Sequence, residues 1–341
     1  MPLRIGVVGA GENTRTRHIP GFQKLAGVEV VAVCNRSRAS GQKVADEFGI
    51  PTVHEDWKEL VNSADVDAIC IGTWPYMHCP ITLEALAAEK HVLTEARMAM
   101  NLDEARQMQA ASAQTDKISM IVPAPIWLET EAALLEMVSG GQFGDLLEIH
   151  VCGLGGGYDP EAPLHWRQRR ELSGNNVMIT GILNETVHRY AGVESSVSAS
   201  GSVFTKERAN PETGSAGVAD VPESLGIVAQ MQGGATAVYH VSSVAHLGEE
   251  ASIAVFGTKG SFKLDGAGAW IATSSETAFR PLEVPLEEQG GWRVEEDFVE
   301  AVLEGKPVTH TSFADGIRYM EFTEAVNISM AEGRRVDLPL P

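Results

Sequence analysis

The sequence predicts an α/β protein in two parts: a doubly wound parallel sheet with helices on both faces, then an α+β region with a large, mostly antiparallel sheet. Three observations predict it. Short β-branched runs alternate with amphipathic helical stretches through the first third of the chain. A Gly-x-Gly turn directly follows the first of those runs. From residue 195 to 273 the helical period gives way to alternating, β-rich segments separated by glycine-bearing turns. At roughly 150 residues per domain, 341 residues make about two domains. The boundary is placed at 122/123, giving a first domain over 1–122 and a second over 123–341 whose last helix can pack back on the first.

The first four strands are residues 4–8, 29–34, 68–72 and 91–93, each short and apolar as buried parallel strands are. Helices at 38–48, 57–61 and 80–88 separate them. Asn101 caps a helix reaching about Ala113, with Asp103 and Glu104 at the positive end of its dipole. A strand at 118–122 follows, then a helix at 129–138 and a long strand at 146–152. The sheet of the second part is built from 197–205, 225–231, 235–243 and 252–256. Helices at 294–303 and 312–330 and a strand at 336–340 close the chain.

Composition excludes several classes. With 44% hydrophobic and 21% charged residues the chain folds rather than staying disordered. A net charge of -20 repels phosphate backbones and anionic membranes, so nucleic acid is not an expected partner. The apolar runs fall far short of the ~20 residues of a membrane helix, and residues 1–10 lack the pattern of a signal peptide. Cys34, Cys70, Cys79 and Cys152 show neither CxxC nor His-paired spacing, so no metal site is expected and a reducing, cytoplasmic location is.

The first strand enters Gly9-Ala10-Gly11-Glu12-Asn13-Thr14, where two glycines let the backbone approach a pyrophosphate at a helix N-terminus. An ordinary tight turn is the alternative, and the βαβ context favours the nucleotide site. At the end of the second strand, where a carboxylate would bind the adenosine ribose of NAD, stand Asn35, Arg36, Ser37 and Arg38. Guanidinium groups and a hydroxyl suit a 2′-phosphate, so NADP(H) is favoured, with NAD possible; a solvated loop is the bland reading.

Together with the run Val66-Asp67-Ala68-Ile69-Cys70-Ile71, the segment Thr73-Trp74-Pro75-Tyr76-Met77-His78, and Lys90-His91-Val92-Leu93-Thr94-Glu95-Ala96-Arg97, these residues resemble the Gfo/Idh/MocA oxidoreductases, the glucose-fructose oxidoreductase and inositol dehydrogenase family, over essentially the whole chain. The resemblance implies a Rossmann domain followed by an α/β domain whose sheet offers one face to substrate and often the other to a partner subunit, as a homodimer or homotetramer. Sugars, cyclitols and related polyols are the implied substrates. It also places Thr73, Trp74, Pro75 and His78 along the cofactor, Glu95 near the nicotinamide ribose, and Trp166 and Arg167 near the active-site cleft.

Two departures matter. The family's Glu-Lys-Pro is Glu95-Ala96-Arg97 here, and alanine cannot move a proton; Arg97 points elsewhere if the strand alternates, and is assigned to the nicotinamide amide or a substrate oxygen. The family's Asp and His on a later helix are also missing. One register puts Thr180 and Asn184 at those positions, and the other puts Ile179 and Leu183 there. The first makes Thr180, Asn184 and His188 a polar ridge facing the cleft, with His188 as general base and the other two orienting a hydroxyl. Surface pairing of Glu185, His188 and Arg189 is the competing view. One extra residue between Gly11 and His18, with Thr14 for the closing glycine, implies looser helix-to-strand packing and altered pyrophosphate contacts.

Tyr158, Asp159, His165 and the cluster Arg167, Arg169 and Arg170 are further substrate-side candidates, and His240 and His246 belong to a surface or interface. Three functions compete. The first is an NADP(H)-dependent oxidoreductase of a polyol with a rebuilt proton relay. The second is a lyase or glycosidase that recycles its cofactor, with Glu185, His188 or Tyr158 as base. The third is a non-catalytic dinucleotide sensor.

Overall fold

The computed structural model describes residues 1–248 and 250–341. The chain divides into two compact units, Met1–Pro123 with Arg293–Met320, and Ala124–Trp292 with Glu321–Pro341.

In the first unit, β1 (Leu3–Val8), β2 (Val28–Cys34), β3 (Thr52–His54), β4 (Ala68–Ile71), β5 (His91–Thr94) and β6 (Ser119–Ile121) form one parallel sheet in the order β3-β2-β1-β4-β5-β6. The order reverses between β1 and β4, where such folds bind ligands. The connecting helices are α1 (Ile19–Lys24), α2 (Arg38–Phe48), α3 (Trp57–Val61), α4 (His78–Ala87) and α5 (Leu102–Ser112). Ser37 caps α2 and Asn101 caps α5, its Oδ1 accepting the Glu104 N–H at 2.9 Å. All four residues of β4 are buried, so that strand reads as a continuous apolar run.

In this unit, β3 and α1 are absent from the sequence reading. Strand β3 has three residues, too few to show a period. Helix α1 carries Pro20 and Gly21; proline is tolerated in a first turn, and a Cβ on Gly21 would stand 2.7 Å from Cγ of Glu295.

In the second unit come α6 (Glu131–Ser139), β7 (Leu146–Leu154), the single turn α7 (Arg170–Ser173), α8 (Thr180–Ala191), β8 (Glu194–Ser202), the ribbon of β9 (Glu207–Ala209) and β10 (Ala216–Val218), then β11 (Ser224–Met231), β12 (Thr236–Ser242), β13 (Ser252–Gly257), β14 (Gly260–Asp265), β15 (Gly268–Thr273) and β16 (Arg280–Pro281). Helix α9 (Val294–Glu304) returns to the first unit, α10 (Phe313–Glu332) contributes to both, and β17 (Val336–Asp337) ends the sheet of the second.

That sheet has nine strands in the order β16-β15-β14-β13-β7-β12-β11-β8-β17. The sheet is mostly antiparallel, as the sequence predicts, with one parallel pairing to a strand outside 195–273: β12 runs parallel to β7, with Tyr239 opposite Val151. A parallel neighbour needs a long crossover, which the chain between β7 and β12 supplies. One face is the core, where Ile149, Val151, Leu225, Ile227, Tyr239 and Val241 pack against Leu183 and Val187 of α8 and Phe322 of α10. Gly153 allows this approach, since a Cβ there would lie 2.9 Å from Cδ1 of Ile179. The opposite face carries Val228, Val238, His150 and His240, all exposed.

Candidate functional site

The glycine turn at the carboxyl edge of the parallel sheet is the start of the site. Gly9 has φ +84°, and a Cβ on it would lie 2.6 Å from Cγ2 of Thr73 and 2.7 Å from the Thr73 nitrogen, so only glycine fits both the turn and the approach. Thr14 is 1% exposed and its hydroxyl donates to the Gly9 carbonyl at 3.3 Å. The expected looser packing is absent: Gly72 makes the room instead, a Cβ there falling 2.0 Å from Oγ1 of Thr14. The extra residue before His18 is absorbed as a π-helical turn over Thr14–His18, whose i→i+5 spacing holds one residue more per turn. Glu12 is exposed at the start of this helical stretch.

A cavity of about 560 Å³ opens beside the turn, lined by Gly9, Gly11, Asn35, Arg36, Thr73 and Trp74 among others. The structure divides the four residues after β2. The Oδ1 of Asn35 accepts the Ala10 N–H at 2.7 Å and so braces the glycine turn. The Arg36 guanidinium lies over the Trp74 ring, 4.4 Å from its centroid. Ser37 accepts the Ser40 N–H at 3.3 Å, and Arg38 pairs with Glu55 at 2.6 Å, both side chains being exposed. Glu55 and Asp56 also line the cavity and were missed; Asp56 caps α3 through the Lys58 N–H.

The loops after β4 and β5 meet through His78. It is buried, with Nδ1 2.9 Å from the Arg97 carbonyl and Nε2 3.0 Å from the Thr73 carbonyl, so it pins the two loops together. Burial, against these carbonyl contacts, holds the His78 ring below the ordinary histidine range. Pro75 is buried and opens a short 3₁₀ turn. β5 ends at Thr94, so the alternation argument does not reach Arg97, which is 5% exposed. Its neighbour Met98 donates its N–H to the Tyr319 hydroxyl at 2.7 Å.

Glu95 is the centre of a group that sequence reasoning took only in part. Asn13 and His18 both reach Glu95 Oε1, the latter at 3.0 Å, and the other His18 nitrogen contacts Glu295 of α9. Nothing in residue spacing joins Glu295 to Glu95; the only hint is a histidine at a fixed distance past the glycine turn.

In the second unit Thr180, Asn184 and His188 do share a face of α8, and that face is turned onto the sheet. Asn184 Nδ2 donates to Glu194 Oε1 at 2.7 Å and to the Tyr239 hydroxyl at 3.1 Å; His188 Nε2 lies 2.8 Å from Glu194 Oε2. Thr180 is 1% exposed and its Oγ1 has no partner among the described residues. Burial raises the Tyr239 phenol well above its ordinary value, with Glu194 adding to it. Glu194 and Tyr239 were not foreseen. Glu185 is not an exposed base: Arg189 holds its Oε1 at 2.5 Å, the Ala124 N–H donates to it at 3.1 Å, and Arg189 also pairs with Glu131. These pairs are buried, which corrects the surface reading.

The arginine cluster separates. Arg169 pairs with Glu171 and Glu212, Arg170 donates to Asn175 and Asn327, and Arg167 stacks over Trp166 at 4.2 Å. His165 caps the turn Trp166–Gln168, and burial first, then Arg167, lowers its ring pKa. Tyr158 is exposed, accepting from Thr205 at 3.4 Å. Asp159 is exposed and its carboxylate accepts the Glu161 N–H.

A parallel sheet with a glycine turn and a cavity at its point of strand reversal defines a protein of the dinucleotide-binding class. The family model described as "Oxidoreductase family, NAD-binding Rossmann fold" matches residues 3–122, and that of the GFO/IDH/MocA C-terminal domain matches 132–263. The chain belongs to the GFO/IDH/MocA family of NAD(P)-dependent oxidoreductases. An uncharacterized oxidoreductase of Synechocystis sp. is 25% identical over 271 residues, 77% of this chain and 71% of that protein. A glycosyl hydrolase family 109 protein of Shewanella baltica is 29% identical over 154 residues, 42% of this chain and 33% of its own length. Levoglucosan dehydrogenase in complex with NADH and L-sorbose shares the fold with a TM-score of 0.87, at 23% identity and 99% coverage of each chain. Among the described residues no helix is long and apolar enough to cross a membrane.

Proposed function

We propose that the protein is an NADP(H)-dependent oxidoreductase acting on a hydroxyl of a sugar, cyclitol or related polyol. The observation that carries it is the cavity at the carboxyl edge of the parallel sheet, where Gly9 and Gly11 meet Arg36 and no carboxylate ends β2. The residues fit a dinucleotide: Gly9 and Gly11 line the cavity, the close approach of Thr73 to Gly9 leaves no room for a side chain there, and a helical stretch begins at Glu12 directly after the turn. Gly9, Gly11, Glu12, Asn13 and Thr14 would hold the pyrophosphate, and Arg36, Ser37 and Arg38 the 2′-phosphate, while Asn35 braces the turn. Thr73, Trp74, Pro75, Glu95 and Arg97 would flank the nicotinamide half, and His78 sets the loops that carry them. When bound, the cofactor supplies hydride transfer.

The chain's own residues must move the proton without a lysine at Ala96. His188 is the assigned base, with Glu194 orienting its ring through Nε2. Glu194 and Tyr239 fix the amide of Asn184, which with Thr180 orients a hydroxyl. Tyr158, His165, Trp166 and Arg167 supply substrate contacts. The outer sheet face with Val228 and Val238 fits a two-fold partner surface in a homodimer or homotetramer. The scattered spacing of Cys34, Cys70, Cys79 and Cys152 fits the reducing cytoplasm.

A recycled-cofactor lyase or glycosidase is the second reading, favoured by Ala96 and by the similarity to glycosyl hydrolase family 109 proteins. Incubation with NADP+ and a panel of sugars, cyclitols and glycosides, following nicotinamide absorbance and product mass together, separates the two. NADPH rising in step with an oxidised product supports the oxidoreductase; cleaved or dehydrated product without net NADPH supports the second reading.

A further inference from the structure

We propose that His18 is a positioning residue that, as an imidazolium clamped between Glu295 and Glu95, holds the Glu95 carboxylate ionised and fixed for the nicotinamide-side ribose hydroxyls of the dinucleotide. This rests on the dinucleotide reading above. The sequence treats His18 only as a landmark in the spacing after the glycine turn.

The argument is one of donors and acceptors. His18 is fully buried at the end of the π-helical turn, where the Ile19 N–H donates to the Thr14 carbonyl. Both ring nitrogens face carboxylate oxygens: Nε2 lies 3.0 Å from Glu95 Oε1, and Nδ1 contacts Oε1 of Glu295. A neutral imidazole carries one N–H and would turn a lone pair on one of the two carboxylates; the imidazolium donates to both. Removal of a proton would leave two carboxylates around a neutral ring in a water-excluded site.

The cluster also has a direction. The side chains of His18 and Glu295 are 0% and 2% exposed, and that of Glu95 is 16%, so Glu95 is the end that reaches open space. It follows β5 at the same sheet edge as the glycine turn, on the side of β1 away from β2. A dinucleotide that places its adenosine beside β2 extends its other half toward β4 and β5. Asn13 and the Ala96 N–H at 3.2 Å hold both Glu95 oxygens, which leaves the carboxylate little rotational freedom.

Burial lowers the His18 pKa, but its bonds to Glu295 and Glu95 outweigh that and raise it to about 9. Glu95 in turn is lowered: burial opposes ionisation, and His18 and Asn13 more than offset it. Besides these groups, the buried His78 and Cys70 stand within electrostatic reach of Glu95, and Cys70 within reach of Glu295.

The test uses the whole chain in two arms. Nitrogen-15 NMR of histidine-labelled protein without cofactor reads the His18 ring from pH 6 to 10. Calorimetry then measures NADP+ and NAD+ affinity over the same range for the wild type, Glu295→Gln and His18→Gln. The wild-type ring is expected to carry both protons at pH 8. Glu295→Gln is expected to lower its midpoint by a unit or more and to weaken dinucleotide binding ~10-fold at pH 8.5, with little change at pH 6. His18→Gln removes the pH step; if it does not fold, the wild-type titration and Glu295→Gln still decide. A ring with a single proton at pH 7.5, or a binding pH step that stays at its wild-type position in Glu295→Gln, overturns the role of His18. If the wild type binds neither dinucleotide, the dinucleotide reading fails, and the role of Glu95 toward the ribose fails with it.

Discussion

Removing the guanidinium of Arg36 should shift the dinucleotide preference away from NADP+. Arg36 stacks on Trp74 and lines the cavity, and Arg38 lies outside the cavity lining, paired with Glu55 at 2.6 Å on the exposed surface. One charge-assisted bond to a phosphate contributes ~1.5–3 kcal/mol, roughly a 10- to 150-fold change in Kd. The stacking itself contributes ~0.5–1 kcal/mol at such a site, and its loss acts on both cofactors, about 2- to 5-fold. Arg36→Ala is therefore expected to weaken NADP+ by more than ~10-fold and NAD+ by less than about 5-fold. Arg38→Ala should cost less, since an exposed ion pair with Glu55 competes for the same guanidinium and contributes only ~0–1 kcal/mol. Calorimetric titration of both dinucleotides into wild type and the two variants reads this directly. Equal losses for NADP+ and NAD+ in Arg36→Ala, or a larger loss in Arg38→Ala, would refute the assignment.

Other outcomes follow from the same contacts. His18 is raised in the folded state from 6.5 to about 9, so its stabilisation is complete below pH 6.5 and is lost as pH rises through about 9. The loss is of the order of 3 kcal/mol, visible as a fall in urea midpoint between pH 6 and 10 that His18→Gln abolishes; a flat wild-type profile contradicts it. Glu194→Ala orphans the buried donors of Asn184 and Tyr239 and the contact to His188, and should destabilise by roughly 3 kcal/mol in chemical denaturation, with Glu194→Gln milder. Gly72→Ala forces a methyl against Thr14 Oγ1 and the Gly9 carbonyl, and should cost ~1–3 kcal/mol, partly recovered by Thr14→Gly; unchanged thermal stability would count against the packing argument. Val238→Lys on the exposed sheet face should lower the mass found by analytical ultracentrifugation, and an unaltered sedimentation profile would remove that face as a partner surface.

Local chemistry made much of the fold readable. The helices at 38–48 and 57–61 match the structure residue for residue, because Ser37 and Asp56 cap them and the apolar spacing is local. The glycine turn after β1 was readable because two glycines follow a β-branched run inside a βαβ pattern, all of it local in the chain. Strand β3 and the π-helical turn left no trace, one being too short and the other depending on a single additional residue.

The candidate site was legible only where its residues are neighbours in the chain. Asn35, Arg36, Ser37 and Arg38 stand together in the sequence, yet their separate duties, a brace, a stack, a cap and a surface pair, are set by Ala10, Trp74, Ser40 and Glu55. The ridge of α8 was found by its four-residue spacing, but which way it faces depends on Glu194 and Tyr239, strands away. Glu295 lies 277 residues from His18, and no periodicity reports a contact across that distance. Hydrogen bonds along one helix or turn are written in consecutive residues, so the chain alone specifies the elements, the glycine cradle and the loss of the lysine at Ala96. Ionisation, orientation and burial depend on groups brought together by folding, and those belong to the three-dimensional arrangement.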